Sequence, residues 1–303
     1  MQCSLCNSES VVFLKYNGSH LCEKHFTKFF QKRVNLEFRS ELKIRDPIRL
    51  GVALSGGKDS SVALFETHRI FGKRRDVEIV AVTIDEGIKS YRPETIKAAQ
   101  SLTRKLGVEH RILKIEDNFH TTMDVVSEGG KLAPCSYCGV FRRKLINSAG
   151  IDDDLDYMVT GLNLDDTVQS MMMNIARGDI TRMGRMGPHN TAKEGLVPRL
   201  QPLRKISEKE VMLYAILQGV EFSHAVCPYA DRAIRNEFRE SIDKWEERSP
   251  GTKYSILNSF DKIKALIPSE QEEKMGKCRI CGSPTPGDIC KSCSFEQELK
   301  TWT

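Results

Sequence analysis

The sequence predicts an α/β fold in which a doubly wound parallel sheet carries a small cysteine-rich module at each terminus. Three observations indicate this fold. Short apolar or β-branched runs alternate with longer helical patterns through the middle of the chain, which is the order of elements that a parallel sheet requires. A glycine-rich turn joins the first of these runs to a helix, and closely spaced cysteines occur near both ends.

The alternation in the central region places candidate ligand-binding turns at one edge of the sheet. We expect strands at 48–54, 77–84, 109–115 and 157–161, and helices at 59–71, 93–106, 139–147 and 164–177. In such sheets, ligands bind outside the carboxyl ends of the strands. Further helices are expected at 207–218, 232–247 and 254–267. They would form a helical tail that leads to the second cysteine-rich module.

Seven cysteines and one histidine form two sets whose spacing is typical of structural zinc. In each set, two ligands separated by two residues are followed by a second such pair, which closes a tetrahedral shell around one ion. The N-terminal set is Cys3, Cys6, Cys22 and His25, and the C-terminal set is Cys278, Cys281, Cys290 and Cys293. We therefore expect two Zn²⁺ ions.

A disulfide framework is the alternative use of these cysteines. It fits the sequence poorly, because the chain opens with Met-Gln-Cys, without an apolar signal segment, and has no transmembrane run. We expect a reducing, cytoplasmic location and no membrane partner.

The turn after the first predicted strand has the composition of a pyrophosphate-binding loop. A Walker A loop would need Gly at position 52 and Ser or Thr at position 59, whereas the chain has Val52 and Asp59. Two glycines let the backbone approach an anion, the helix start adds free N–H groups, and Lys58 supplies a cation. The alternative is a glycine-rich turn capped by serine. The candidate nucleotide-binding residues are Ala53, Ser55, Gly56, Gly57, Lys58, Asp59 and Ser60.

Asp85 follows the second predicted strand. An acidic side chain there could hold a ribose, an adenine edge or a metal ion. It could equally be a turn residue in Asp-Glu-Gly. Both interpretations stay open from the sequence.

Three cysteines remain outside the terminal sets: Cys135, Cys138 and Cys227. Three thiolates can hold three irons of a cubane cluster and leave the fourth iron open. Alternatively, two of them form a redox pair while one carries sulfur. A structural zinc with a different fourth ligand is a third interpretation, which His224 keeps open. A buried apolar role is the simplest alternative, but a Cys-x2-Cys after proline at a predicted strand end rarely has it.

These motifs together resemble one known family. Ser55-Gly-Gly-Lys-Asp-Ser60 is similar to the signature of the PP-loop ATPases. With a zinc module at each end, three further segments resemble the Ncs/Ctu and TtuA group of tRNA 2-thiouridine synthetases: Cys135-Ser-Tyr-Cys-Gly-Val-Phe-Arg-Arg143, Gly161-Leu-Asn-Leu-Asp-Asp166 and Cys227-Pro-Tyr. The resemblance spans essentially the whole chain. Arg142 stands where TtuA-like enzymes typically have lysine, so this segment is more similar to the archaeal and eukaryotic enzymes that act on the wobble uridine.

The resemblance implies ATP-dependent adenylation of uridine O2, followed by sulfur insertion that yields 2-thiouridine, at position 34 in preference to position 54. ATP and Mg²⁺ would bind at residues 55–60, with Gly161 and Asp166 completing the nucleotide site. A 4Fe-4S cluster with an open iron would be held by the three central cysteines, with a cluster-free persulfide mechanism as the alternative.

Three further residues acquire catalytic roles from the same resemblance. Lys58 would counter phosphate charge, and Arg142 would be a cation near the cluster or the base. Asp166 would transfer a proton or position a metal ion, although an acid near a helix N-terminus is the simpler alternative.

Four parts of the chain are expected, and the third contributes Cys227. They are an N-terminal zinc finger and basic helix at 1–45, a PP-loop ATPase domain at 46–205, a helical tail at 206–272 and a C-terminal zinc finger at 273–303.

The basic residues indicate where nucleic acid would bind. The formal net charge is only +5, but the segment 24–49 has eight Lys or Arg against three acids. The segment 177–205, expected to be a mobile basic loop, has seven against two. Such clustering suits phosphate neutralisation. The predicted partners are tRNA and a sulfur donor, either sulfide or a ubiquitin-like thiocarboxylate carrier; a homodimer stays open.

Two other functions remain compatible with the motifs. A PP-loop amide-forming ligase would use ammonia and would not need Cys135. A zinc-stapled RNA-binding module with a vestigial nucleotide fold would bind tRNA without forming AMP. The intact loop at residues 55–60 speaks against the second function.

Overall fold

The N-terminal segment forms a small hairpin followed by a long helix. The computed structural model describes residues 1–44, 46–189, 193–232, 234–266 and 276–300. Strands β1 (Val12–Leu14) and β2 (Ser19–Leu21) pair in antiparallel fashion, and α1 runs over Glu23–Glu41. One side of α1 is buried, because apolar residues recur every four positions: Phe26, Phe30, Val34 and Phe38. Leu36 lies off this row and is 51% exposed.

A parallel sheet forms the centre of the molecule, as predicted, and among the described residues it has five strands where the sequence indicated four. Its spatial order is β5-β4-β3-β6-β7, with all neighbouring pairs parallel. The strands are β3 (Ile48–Ala53), β4 (Val77–Asp85), β5 (Glu109–Lys114), β6 (Tyr157–Val159) and β7 (Arg199–Leu200). From β3 the chain moves outward to β4 and β5, then returns to the other side of β3. The carboxyl ends of β3 and β6 therefore flank the switch point where such sheets bind ligands.

Helices cover both faces of the sheet. On one face α2 (Lys58–Phe71), α3 (Arg92–Leu106) and α9 (Glu208–Leu217) pack with α1 around a shared apolar core. On the other face, a second core joins α4 (Ile115–Phe119), α5 (Met123–Gly129) and α6 (Pro134–Asp152). This two-faced arrangement is the doubly wound α/β fold that the sequence predicts.

Helix α6 is longer than the predicted helix at 139–147. It begins at Pro134, because proline suits the first helical position. Its buried row extends to both ends through Tyr137, Phe141, Leu145 and Ala149. Cys135 and Cys138 consequently lie near the start of a helix, and their expected position at a strand end is wrong.

The segment 177–205, expected to be a mobile basic loop, forms secondary structure within its described residues. It contains the short helix α8 (Ile180–Gly184) and strand β7. Strand β7 forms because Leu200 is fully buried and Met158 N–H donates to Pro198 O at 2.8 Å.

A third apolar cluster joins α7 (Leu164–Ala176) to α10 (Arg235–Arg248) and α11 (Thr252–Leu266). A 3-10 turn at Ala230–Arg232 precedes α10. The C-terminal segment consists of β8 (Gly276–Lys277), β9 (Pro284–Thr285) and α12 (Lys291–Lys300). Across the described ranges, no helix has the length and hydropathy of a membrane span. The four-part division of the chain stays a prediction.

Candidate active site and metal centres

The turn between β3 and α2 has the geometry of an anion cradle. Helix α2 begins at Lys58, and its N-cap Gly57 offers no side chain to the first N–H groups, so these point toward the turn. Gly56 has φ of 85°, and a Cβ there would lie 2.0 Å from Thr95 O. Both the conformation and the space at position 56 thus require glycine. Ser60 Oγ accepts from Ser55 N–H at 3.1 Å and donates to Gly57 O at 2.9 Å, which fixes the rest of the turn.

Acidic side chains surround the lysine of this loop. Lys58 Nζ lies 3.0 Å from Asp59 Oδ2 and 2.6 Å from Glu208 Oε1. Although burial alone would lower it, Asp59 and Glu208 raise the pKa of the Lys58 ammonium. Asn163 Nδ2 donates to Asp59 Oδ1 at 3.0 Å. A Cβ on Gly161 would lie 2.7 Å from Asp59 O, so this glycine lets the end of β6 approach the loop closely.

Asp166 lies in the first turn of α7 and serves its cap. It accepts from Asn163 N–H through Oδ2 at 3.4 Å, while Asn163 Oδ1 accepts from Asp166 N–H at 3.0 Å, which completes a capping box. Its second oxygen accepts from Arg235 Nη1 at 3.0 Å. Burial raises the pKa of the Asp166 carboxyl despite this arginine. The capping role is therefore present in the structure, and a catalytic role stays a prediction.

A chain of charged groups joins the loop to helix α6. Arg92 is buried and donates to Ser55 O at 3.0 Å. Its Nε lies 2.7 Å from Glu86 Oε2, and Glu86 Oε1 lies 3.5 Å from Arg142 Nη1. The Arg142 side chain is 47% exposed, so one part of it contacts Glu86 while the rest can reach a ligand. The loop and the arginine beside the central cysteines thus belong to one connected arrangement.

The three central cysteines lie beside Arg142. Cys135 is exposed, whereas Cys138 and Cys227 are half-buried and pack against the apolar core beneath α6. Cys135 Sγ lies 3.7 Å from Tyr229 O, in the segment that carries Cys227. Burial raises the pKa of Cys138 to about 11, and burial also raises the pKa of Cys227.

The spacing of these sulfur atoms bears on which metal group they could hold. Among the described cysteines, histidines and acids, ligand atoms gather within 4.8 Å of one another in the two terminal sets, but the central trio forms no such group. A single tetrahedral zinc with Zn–S bonds of about 2.3 Å needs sulfurs roughly 4 Å apart. The wider trio suits a group with several metal ions, in which each thiolate binds a different iron.

The two terminal sets have the compactness that a single ion requires. In the N-terminal set, Cys6 Sγ lies 3.8 Å from Cys22 Sγ, and Cys3 Sγ lies 3.3 Å from His25 Nδ1. In the C-terminal set, Cys281 Sγ lies 3.6 Å from Cys290 Sγ, and Cys278 and Cys293 complete the group. Either set could hold a metal ion, as predicted.

Two other sequence candidates lie at the same edge of the sheet. Asp85 ends β4, and its Oδ1 accepts from Gly87 N–H at 2.9 Å, which is the geometry of a turn residue. Ala53 ends β3 immediately before the loop. Their roles toward a nucleotide stay predictions.

Comparison with known proteins places this arrangement in a family. A family described as "PP-loop domain" matches residues 22–245, and one described as the N-terminal LIM domain of the 2-thiouridine synthetase TtuA matches residues 2–27. The chain is 34% identical to "tRNA 2-thiolation protein NcsA" of Haloferax volcanii, over 99% of both chains. The chain belongs to the PP-loop family of tRNA 2-thiolation proteins.

Two further relatives of this PP-loop protein show the breadth of the family. It is 30% identical to "tRNA-5-methyluridine(54) 2-sulfurtransferase" of Pyrococcus horikoshii, over 97% of this chain and 93% of the relative. It is also similar to the solved structure of the U34-tRNA thiolase NcsA of Methanococcus maripaludis with its [4Fe-4S] cluster. That comparison has a TM-score of 0.87 and 30% identity, and it covers 99% of this chain and 96% of the other.

Several residues of this PP-loop site were missed by the sequence analysis. They come from distant parts of the chain and have no local motif: Glu86, Arg92, Glu208 and Arg235. Arg33 shows the opposite case, because it belongs to the basic segment 24–49 yet lies 2.6 Å from Glu210 inside the protein. Only the tertiary contacts distinguish such internal cations from those available to a ligand.

Proposed function

We propose that this protein is an ATP-dependent tRNA sulfurtransferase that converts uridine 34 to 2-thiouridine. The observation that carries the proposal is the contact path from Ser55 through Arg92 and Glu86 to Arg142. It joins a pyrophosphate loop to a set of three cysteines at one edge of the sheet. The names of the Haloferax and Methanococcus proteins, both thiolating and one acting on U34, support the reaction and the position.

The loop would activate the uridine. Uracil C2 is a poor electrophile, and its oxygen is a poor leaving group. In the first step uridine O2 attacks the α-phosphorus of ATP, an O–P bond forms, and pyrophosphate leaves. Lys58, the α2 N-terminus and Mg²⁺ would stabilise the charge that develops on the phosphates. Sulfide then attacks C2, and AMP leaves with the former O2.

The central cysteines would hold the group that supplies sulfur. Cys135, Cys138 and Cys227 provide three thiolates that do not gather as closely as the described terminal sets, and a 4Fe-4S cluster held by three thiolates leaves one iron free for an exogenous sulfur ligand. Arg142 would then lie as a fixed cation beside the reacting base. Asp166, with its raised pKa and its contact to Arg235, is the proposed proton carrier or metal-positioning group.

Two arginines beside the cysteine helix would contact tRNA phosphates. Asn147 of α6 donates to Gly195 O and accepts from Val197 N–H at 2.9 and 3.0 Å. Arg143 lies one turn earlier on α6 and Arg199 two residues after Val197, and the two guanidinium groups lie close enough to repel each other. Desolvation and repulsion from Arg199 lower the pKa of Arg143, and desolvation lowers that of Arg199. Within the described residues neither guanidinium has an ion pair, so a phosphate would relieve their repulsion.

The remaining parts of the proposal concern the donor and the metal modules. Sulfide or a ubiquitin-like thiocarboxylate carrier would supply sulfur. Each terminal set would hold one Zn²⁺, since four closely spaced ligands including thiolates fix a small module that has little core of its own.

Mass spectrometry of tRNA from a strain that lacks the gene tests the function. We expect 2-thiouridine to disappear from position 34 of the Lys, Glu and Gln acceptors. The anaerobically purified protein should contain about one 4Fe-4S cluster. Loss at position 54 would assign the protein to the reaction named for the Pyrococcus relative. Unchanged thiouridine at both positions would refute thiolation.

A further inference from the structure

The helix turn that carries two of the central cysteines is anchored to the C-terminal module, residues 276–300. Tyr137 lies between Cys135 and Cys138 and is fully buried. Its ring centroid is 4.3 Å from that of Phe295, and its hydroxyl donates to Glu298 Oε1 at 2.6 Å. Both partners belong to α12, about 160 residues further along the chain.

The geometry of an α-helix separates this anchor from the cysteines. Cys135 and Cys138 are three residues apart and share one side of α6, whereas Tyr137 points toward the core. The helix begins at Pro134, and its N-cap Ala133 makes no side-chain cap hydrogen bond. A first turn without such a cap tends to fray. The contact with α12 is therefore a main support of the turn that holds both cysteines.

The proposed metal site of the C-terminal module fixes the position of α12 in turn. Cys290 immediately precedes α12 and Cys293 lies in its first turn, so two of the four ligands hold the helix start. A second contact lies two turns along α6, where Lys144 Nζ approaches Cys281 Sγ at 3.7 Å and also contacts Ser283. Helix α6 thus rests against the module at two points.

We propose that the C-terminal module positions Cys135 and Cys138 for cluster binding, acting through Tyr137, Phe295 and Glu298. These three are positioning residues, since none of them is a ligand. The inference rests on the proposed function, because the cluster is the group that the two cysteines would hold. Groups that fix metal ligands from outside typically change metal affinity by about 10- to 100-fold when they are removed.

The chain offers a matched control on the opposite face of the sheet. Tyr214 is also fully buried, and its hydroxyl donates to Glu66 Oε1 at 2.6 Å. Its ring stacks on Phe30 of α1 at 3.9 Å. This pair has the same chemistry as Tyr137 with Phe295, but it connects α1 and α9 and lies away from α6.

The test compares Phe295→Ala and Tyr137→Phe with Phe30→Ala and Tyr214→Phe. Each full-length variant is purified anaerobically, and iron, zinc, thermal stability and the rate of iron release to a chelator are measured. We expect Phe295→Ala to release iron on the order of tenfold faster than Phe30→Ala at a similar loss of thermal stability, with zinc retained. Tyr137→Phe keeps the ring contact with Phe295 and loses only the hydrogen bond to Glu298. Its iron release should therefore exceed that of Tyr214→Phe by a smaller factor. Equal release rates in the two pairs would overturn the proposal.

A second measurement separates this inference from the proposed function. In iron-free protein, the alkylation rate of Cys138 is followed by peptide mass spectrometry. Faster alkylation in Phe295→Ala than in Phe30→Ala supports the positioning role, even if the parent protein binds no iron and the cluster assignment fails. Equal alkylation rates contradict it. If Phe295→Ala does not fold, the milder Tyr137→Phe decides the outcome by the same measurements.

Discussion

Lys58 Nζ lies 2.6 Å from Glu208 Oε1, although the two residues are 150 positions apart. The pair brings the N-terminus of α9 to the pyrophosphate loop. Together, Asp59 and Glu208 neutralise the positive charge of Lys58. In the proposed nucleotide site, bound phosphates would compete with these carboxylates for Lys58, so the ion pairs would weaken nucleotide binding.

Replacing Glu208 tests this competition. Glu208→Gln should tighten ATP binding by a few fold at most, because a partly exposed ion pair contributes roughly 0.2–1 kcal/mol. Titration calorimetry with ATP measures the change, with Glu221→Gln as a control on an exposed carboxylate that faces Lys105. Weaker ATP binding in the presence of Mg²⁺ would indicate that Glu208 helps to hold the metal ion instead.

The order of the chemical steps can be read from two variants. Lys58→Ala should lose AMP formation and thiolation together, since the lysine serves uridine activation. Cys135→Ala should lose thiolation while it retains tRNA-dependent release of pyrophosphate, because activation does not use the cysteine. Pyrophosphate release and tRNA mass spectrometry on the same samples distinguish the two. Loss of pyrophosphate release in Cys135→Ala would show that activation and sulfur transfer are not separable.

The proposed phosphate contacts predict a change in salt dependence. Arg143→Ala and Arg199→Ala should each weaken tRNA binding and reduce the slope of log K against log salt by about 1. Filter binding across a salt series gives the slope. Arg104→Ala, an exposed residue of α3 on the other face of the sheet, is the control and should leave the slope unchanged. An unchanged slope in all three variants would show that neither Arg143 nor Arg199 contacts tRNA phosphates.

Metal removal should affect the two terminal modules separately. Cys22→Ser and Cys278→Ser should each lose about one zinc per chain and lower the melting temperature, because metal binding supplies folding free energy to small modules. Elemental analysis and thermal unfolding measure both effects. A variant that lost its zinc yet melted like the parent would show that the corresponding module folds without metal.

The buried carboxyl of Glu41 should make the stability of the folded protein depend on pH. Burial raises the pKa of its carboxyl to about 7 from the ordinary value of 4.5. Between these values the unfolded chain releases the proton while the folded protein keeps it, so stability falls as pH rises through this window. The loss reaches about 3 kcal/mol above pH 7.

Glu41→Gln removes this titration and keeps an acceptor for Gln201 N–H, which Glu41 Oε2 binds at 2.7 Å. The variant should therefore melt at a higher temperature than the parent at pH 8, with the difference vanishing near pH 4. Thermal unfolding at several pH values measures it. Parallel curves for the two proteins would mean that the Glu41 carboxyl ionises normally in the fold.

Local patterns in the sequence were sufficient to predict the fold class. Alternating apolar runs predicted the parallel sheet, because a strand buried on both faces must be apolar whatever its neighbours are. The pairs of metal ligands and the loop at 55–60 were visible for the same reason, since their function depends on ligands close in sequence. The start of α6 was missed because the Cys-x2-Cys motif occupies a turn whose helical character depends on the buried Tyr137.

The tertiary structure alone decided how these parts meet. Nothing near Glu208, Arg235 or Glu86 in the sequence indicates that their side chains reach the loop, Asp166 and Arg142. Ion pairs form between groups brought together by packing, and their energy depends on distance and burial rather than on spacing along the chain. Packing also gives two arginines different surroundings. Arg33 forms an ion pair with Glu210 inside the protein, whereas Arg143 has no acidic partner among the described residues.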